Sequence, residues 1–323
     1  MAKKFSPKSL LSNFMVDTKI GFMRVHKLAI SISITLCLIS ISLVATRGLN
    51  LGIDFSGGIL IETKFQDQVE LSNLRNLLDK KELGEITLQN FDNQNFMIKV
   101  SQSRNSDQNQ IIKQIKIILD SNFNNVQYRK TDFVGPQIGS ELIKKGLMAL
   151  LLAFCFIMIY IWIRFDWQFG IGAIIALIHD AILVLGFFSI TGLEFNSTSI
   201  AAILTVIGYS INDSVVIYDR IRENLRKFKM MNISELLNLS INSTLSRTIL
   251  TSSTTLLSLV SLMVFGGEAL KSFSIATFFG IVIGTYSSIY ISAPVLFYIN
   301  PRGNIIKKNH KKTADSQLKQ LTK

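Results

Sequence analysis

The sequence predicts an α-helical membrane protein of six transmembrane helices with one small α+β, ferredoxin-like outer domain. Three observations point there. Apolar residues make up 48% of 323 residues, six apolar windows are long enough to cross a hydrocarbon layer of about 30 Å, and one long inter-window stretch alternates strand and helix patterns. The first two exclude a soluble enzyme.

Taken in order, residues 1–27 are a basic N-terminus and 28–46 the first span. No small-residue cleavage site follows that span, since Thr46-Arg47-Gly48 leads straight on, so it reads as an uncleaved anchor. Residues 47–145 form the outer domain. Its pattern gives a strand at 58–65 and a helix at 70–83 with Leu71, Leu74 and Leu78 on one face. Strands at 85–91 and 96–100 follow, joined by a turn at Asp92-Asn93-Gln94-Asn95. A helix at 107–122, with Ile111, Ile115, Ile118 and Leu119 inward, precedes a last strand at 126–134. The order βαββαβ is that of a ferredoxin-like split unit. Residues 146–299 hold the other five windows (146–163, 169–190, 199–218, 249–265 and 273–299). An inner loop covers about 219–247, and 300–323 is a basic tail.

Charge orients the spans. With the N-terminus inside, the basic regions 3–27, 220–247 and 302–323 share the inner side with the short turn at Arg164, giving 20 Lys/Arg against 6 Asp/Glu; the outer side carries 14 of each. The net charge of +12 is therefore a topological signal, with both termini cytoplasmic. Nucleic-acid binding is not expected, because no basic patch carries base-stacking aromatics. Contact with anionic lipid or an inner-face partner is compatible with the pattern. Residues 218–224 continue into an amphipathic helix ending near Lys229, read as snorkelling and anchoring. Cys37 and Cys155 lie in different windows and read as small buried hydrophobes without a disulfide.

The chemistry concentrates on Asp213, an ionisable group inside an apolar run, where its insertion costs roughly 2.5–3.5 kcal/mol. Thr205, Tyr209, Asn212 and Asp213 recur at helical intervals, a stripe expected to face protein. In the fifth window Ser240, Thr244, Arg247, Thr251, Thr254, Ser258 and Ser261 are spaced four and three alternately, a polar seam. Arg247 opens its span from the inner side, where its depth can match that of Asp213. Two readings stay open: a proton relay, in which water access moves the acid between charge states, or a static ion pair. Asp180, beside His179 in the third window, is a second relay candidate; alternatively the pair satisfies its own polar groups between helices packed through Gly172 and Ala176. In the sixth window Ser272, Ala276, Gly280, Gly284, Ser288 and Ser292 put a small residue at every fourth position, a helix-packing face. Glu194 and Glu268 read as solvated carboxylates in outer loops.

No nucleotide loop is evident, since 266–272 lacks the glycine before its lysine. With three histidines there is no metal cluster, and no nucleophile with a base appears. The expectation is a non-enzyme without cofactor, with protons as coupling ion.

The segments Gly-Ile-Asp-Phe-Ser-Gly-Gly at 52–58, Val-Gly-Pro at 134–136, His-Asp at 179–180, the run 208–224 and Gly-Thr-Tyr-Ser-Ser-Ile-Tyr at 284–290 resemble the SecD/SecF family of bacterial protein-export membrane proteins. The likeness covers almost the whole chain except its basic ends, and the run 208–224 is its most specific part. Tyr218 departs from the Phe common there. The resemblance implies a six-span half of a resistance-nodulation-division type bundle in the inner membrane, paired with SecD and associated with the SecYEG channel and YajC. It implies use of the proton-motive force to assist late export of unfolded preproteins, with Asp213 and Arg247 in proton transport; the seam would then line the water path. Two rival functions are a transporter half for small molecules or lipids and a non-titrating scaffold for SecD.

Overall fold

The computed structural model describes residues 18–79, 86–90, 94–101 and 108–301, without the side chains of 136, 268 and 269. The helical expectation for 80–83, the strand ends at 85 and 91, the turn residues 92–93, position 107, the Glu268 carboxylate and the basic ends 3–17 and 302–323 lie outside the described residues.

Two compact units divide the chain: 50–150 with 194–200, and the remainder. In chain order, α1 spans Phe22–Arg47, α2 Ile53–Ser56, β1 Gly58–Lys64, α3 Leu71–Asp79, β2 Ile86–Asn90, β3 Asn95–Val100, α4 Gln108–Asn122 and β4 Gln127–Val134.

 Of these, α1 belongs to the second unit and the elements from α2 to β4 to the first. The strands form one antiparallel sheet in the order β2-β3-β1-β4, the ferredoxin-like arrangement that βαββαβ connectivity predicts. Register sets Ile59 opposite Val100 and Ile61 opposite Ile98, so alternate residues of the central strands reach the same core. Leu74 and Leu78 of α3 and Ile115 and Leu119 of α4 close that face with no exposure, while Leu71 and Ile118 are partly buried against it. On the opposite face Leu60 and Met97 pack with Ile53 of α2, which explains why β1 is buried on both sides. The glycine pair has a local cause. Gly57 (φ 71°) and Gly58 (φ 117°) both take left-handed backbone, and a Cβ on Gly58 would lie 2.4 Å from the Val100 carbonyl oxygen, a position open to glycine alone.

The second unit takes most of the membrane helices: α1, α5 (Pro136–Arg164, from residue 151), α6 (Trp167–Thr191), α7 (Ser197–Lys227, from residue 201), α8 (Ile233–Phe265), α9 (Glu268–Ser287) and α10 (Ala293–Ile299). Among the described residues, six helical segments are long and apolar enough to cross a membrane. The third span, α6, packs against α1, α9 and α10; its buried residues cover more than half of its circumference and leave a strip with Ile175 and Ile178 exposed, the pattern of a largely enclosed element. The sixth span is not one α-helix: α9 passes into a π-turn at Ser288–Ser292 and then α10. Pro294, at the start of α10, has no amide for the preceding turn, and the chain widens immediately before it.

Three expectations need correction here. The expected loop at 219–247 is two helix ends joined by residues 228–232, since α7 runs to Lys227 and α8 starts at Ile233. Ile221 and Leu225 bury themselves with Leu236, Leu237 and Ile241 in one cluster, and Asn232 caps α8 by accepting from the Ser234 amide at 2.9 Å. The sequence predicts the first of these extensions, the amphipathic helix ending near Lys229, but not the N-terminal turns of α8 from Ile233, whose polar face dilutes a hydropathy average. Cys155 is exposed on α5 and Cys37 half-buried; both are free thiols. Glu194 is no solvated carboxylate: it lies 3.4 Å from Lys99 Nζ, with both side chains largely covered.

Candidate functional site

Two buried carboxylates lie among the membrane helices, in contrasting surroundings. Asp180 on α6 is wholly buried. Its Oδ2 accepts from Ser210 of α7 at 2.5 Å and from Ser287 of α9 at 2.8 Å, and its Oδ1 lies 2.9 Å from His179 Nδ1. Both oxygens are therefore engaged, and the residue ties three helices together. His179 Nε2 is buried without a hydrogen-bond partner.

Asp213 on α7 is 2% exposed, and its Oδ2 has no hydrogen-bond partner. Thr285 of α9 is within hydrogen-bonding reach of the carboxylate, and Arg247 of α8 acts on it through its charge. The Thr285 hydroxyl is itself 2.8 Å from that of Ser252 on α8. The sequence brought Arg247 forward; Thr285 and Ser252 it did not, because neither lies on the seam that the spacing singled out. Chemically, an acid with one free buried oxygen can take a proton without first breaking a hydrogen bond, and a nearby guanidinium can replace that proton as its countercharge.

The stripe expected to face protein is fully buried only at Asp213. Thr205 and Asn212 are exposed and Tyr209 half-buried. Helix geometry explains the split: Asp213 follows the buried Val206 by seven residues, whereas Asn212 follows Thr205 by seven, about 100° round the helix. Tyr209 still reaches α8, its hydroxyl 3.1 Å from that of Thr255. The α8 seam is also divided. Ser240 and Thr244 are buried, Thr251 half-buried, and Arg247, Thr254, Ser258 and Ser261 exposed on the surface of this chain. Thr251, Thr254 and Ser258 return their hydroxyls to carbonyls of their own helix.

The small residues of the sixth span approach α7. A Cβ on Gly280 would lie 2.1 Å from Val206 Cγ2, and one on Gly284 would lie 3.1 Å from Ser210 Cβ. Ala276 and Ser288 have no exposure. This close approach brings Ser287 and Ser210 to the same Asp180 oxygen. One turn further, Ser292 donates to the Tyr218 hydroxyl, so the tyrosine at this position is held by a hydrogen bond that a phenylalanine would lack. A Cβ on Gly172 would meet that same hydroxyl at 2.6 Å.

In the α+β unit, the segment before the glycine pair also has a partner. Asp54 Oδ2 accepts from the Ser197 amide at 2.9 Å, at the start of α7, where a carboxylate meets unpaired N–H groups and the positive helix end. A Cβ on Gly139 would lie 2.9 Å from the Phe55 carbonyl oxygen. Among the described residues no group of three or more His, Cys, Asp or Glu could hold a metal.

Comparison with known proteins agrees in three ways. The family model described as "Protein export membrane protein SecD/SecF, C-terminal" matches residues 114–302, and that described as "SecD/SecF GG Motif" matches residues 42–69. The chain is 54% identical over 288 residues to a protein translocase subunit SecF of Rickettsia rickettsii (strain Sheila Smith), covering 88% of this chain and 93% of the relative. It is 53% identical over 286 residues to that of Rickettsia conorii (strain ATCC VR-613 / Malish 7), with the same coverage. Among solved structures it is similar to SecDF, a translocon-associated membrane protein from Thermus, with a TM-score of 0.80 and 37% identity over 88% of this chain. The SecDF structure in its super-membrane-facing form gives a TM-score of 0.66 and 36% identity over 94% of this chain. The chain spans 39% of the first SecDF chain and 40% of the second.

Proposed function

Since the chain belongs to the SecD/SecF family of protein-export membrane proteins, as a SecF-type translocase subunit, we propose that it works with SecD to turn the proton-motive force into late-stage export of preproteins. In this reading it is an accessory, non-catalytic subunit of the inner membrane with both termini cytoplasmic, associated with SecYEG and YajC. Protons are its coupling ion, and no other cofactor takes part.

One observation carries the proposal: Asp213 is buried with a free Oδ2 while Arg247 exerts its charge on the same group. A proton moving through the membrane potential releases about 2.3 kcal/mol per 100 mV, enough to bias a bundle whose two arrangements are nearly balanced. Protonation of Asp213 removes its attraction for Arg247 on α8, and release of the proton restores it, so the relation of α7 to α8 follows the charge state. The exposed polar line Thr205, Asn212, Thr254, Ser258 and Ser261 supports a water path closed by a partner chain, and SecD is the partner of that kind which the family supplies. Asp180, with both oxygens engaged, serves in this reading to hold α6, α7 and α9 together.

The experiment compares wild type with Asp213→Asn in membranes carrying the whole translocase. Assembly with SecD should survive and gradient-dependent stimulation of export should vanish. Unchanged stimulation would favour a scaffold; small-molecule efflux by the chain, without copurification of the channel, would favour a transporter half.

A further inference from the structure

The C-terminal part of α7, Arg164 at the end of α5 and residues 243–247 of α8 border an open cavity of about 1020 Å³ lined by six cationic side chains and two carboxylates. Both carboxylates are already matched. Arg164 Nη2 meets Asp219 at 2.8 and 2.9 Å; Arg220 holds Glu223 at 2.7 Å while donating from Nε to Ser243 at 2.9 Å. Among the described residues, Arg222, Arg226 and Lys227 remain without a carboxylate partner around the same space, which Arg247, the countercharge of Asp213, also lines. Inside-positive topology and the helix dipole explain basic residues at a helix end. Neither requires them to converge on one cavity, where like charges repel.

We propose that this cavity binds the phosphodiester headgroup of an anionic phospholipid. Guanidinium groups match phosphate oxygens in a fixed, forked geometry, and the volume is at the upper end of the range for small-molecule sites, larger than one inorganic phosphate needs. The flanking surface selects lipid over an acidic polypeptide. Trp162, Ile163 and Trp167 bracket Arg164 in the chain and are 61, 82 and 55% exposed, a combination that suits the level where headgroups meet acyl chains. Val216 also lines the cavity, where the apolar run of α7 ends. The proposal stands whether or not Asp213 relays protons.

The test is a thermal-shift titration of the purified full chain in neutral detergent with phosphatidylglycerol, phosphatidylcholine and inorganic phosphate. Phosphatidylglycerol should stabilise at far lower concentration than either of the others. Arg226→Gln with Lys227→Gln should weaken that effect roughly 30-fold, as expected for two charges removed, while Arg226→Lys with Lys227→Arg should keep it. The charge-preserving pair guards against a folding defect, because it perturbs the same positions. Equal response to phosphatidylcholine, equal response to inorganic phosphate, or full binding by the glutamine double variant would each overturn the proposal.

Discussion

Ser210 donates its hydroxyl to Asp180 Oδ2 across 2.5 Å, joining the fourth span to the third. Ser287 brings the sixth span to the same oxygen. Asp180→Ala removes the shared acceptor, leaving Ser287 only the Gly284 carbonyl at 3.1 Å, and should cost about 1–2 kcal/mol for the interhelical bonds lost. Asp180→Asn keeps one acceptor oxygen and should lose less. Thermal unfolding of the full chain in detergent separates the two; equal losses would mean that the serines find other partners.

Gly280 allows α9 to touch α7. An added Cβ would meet Val206 at 2.1 and 2.9 Å, whereas one on Gly208 would meet nothing within 4 Å. Gly280→Ala should therefore destabilise by about 1–3 kcal/mol through overpacking. Gly208→Ala should be neutral or stabilise by roughly 0.5–1 kcal/mol through helix propensity. Val206→Ala in the Gly280→Ala background should recover part of the loss, which a double-mutant cycle on unfolding measures.

The sequence carried the ferredoxin-like sheet legibly because its signals are local. Leu74, Leu78, Ile115 and Leu119 mark two inward helix faces, and Ile59 and Ile61 mark the strand between them. It carried Asp213 and Arg247 as well, since a charge in an apolar run stands out alone. It did not carry which side of α7 faces inward. Asn212 and Asp213 are neighbours of similar polarity, and only the packing of Val206 against Gly280 selects Asp213 for burial. Nor did it reveal the Asp180 cluster, because Ser210 and Ser287 stand 30 and 107 residues from Asp180 and each looks like an ordinary small helix residue. Glu194 was hidden in the same way: its partner Lys99 lies far back in the chain, on the sheet face away from the main core.

Lys99 and Glu194 give the next expectation. They lie 3.4 Å apart with side-chain exposures of 10 and 13%, so removing one leaves the other charge covered and uncompensated. Glu194→Ala should cost about 3 kcal/mol, near the lower end for a broken buried pair, and Lys99→Met with Glu194→Leu should recover most of it. Denaturant unfolding of the α+β unit, followed through hydrogen exchange of the β3 amides, reads the difference. A double variant as unstable as Glu194→Ala would show that the pair is needed for more than charge balance.

Tyr128 on β4 supplies a pH dependence. Its hydroxyl donates to Asp120 Oδ1 at 2.8 Å and to the Lys116 carbonyl at 3.2 Å, both on α4. Burial, followed by the hydrogen bond to Asp120, raises its pKa above the ordinary tyrosine value. The folded unit therefore keeps a proton that the unfolded chain releases, and the sign follows: the contribution to stability is complete below the unfolded value of about 10 and is lost as pH rises towards the folded one. In a difference titration at 295 nm between wild type and Tyr128→Phe, no tyrosinate from this position should appear near pH 10 in the folded protein. It should appear there once denaturant unfolds the α+β unit. Between pH 9 and 11 the unfolding midpoint should fall further in wild type than in the phenylalanine variant, and parallel curves would show that the β4–α4 contact does not depend on this proton.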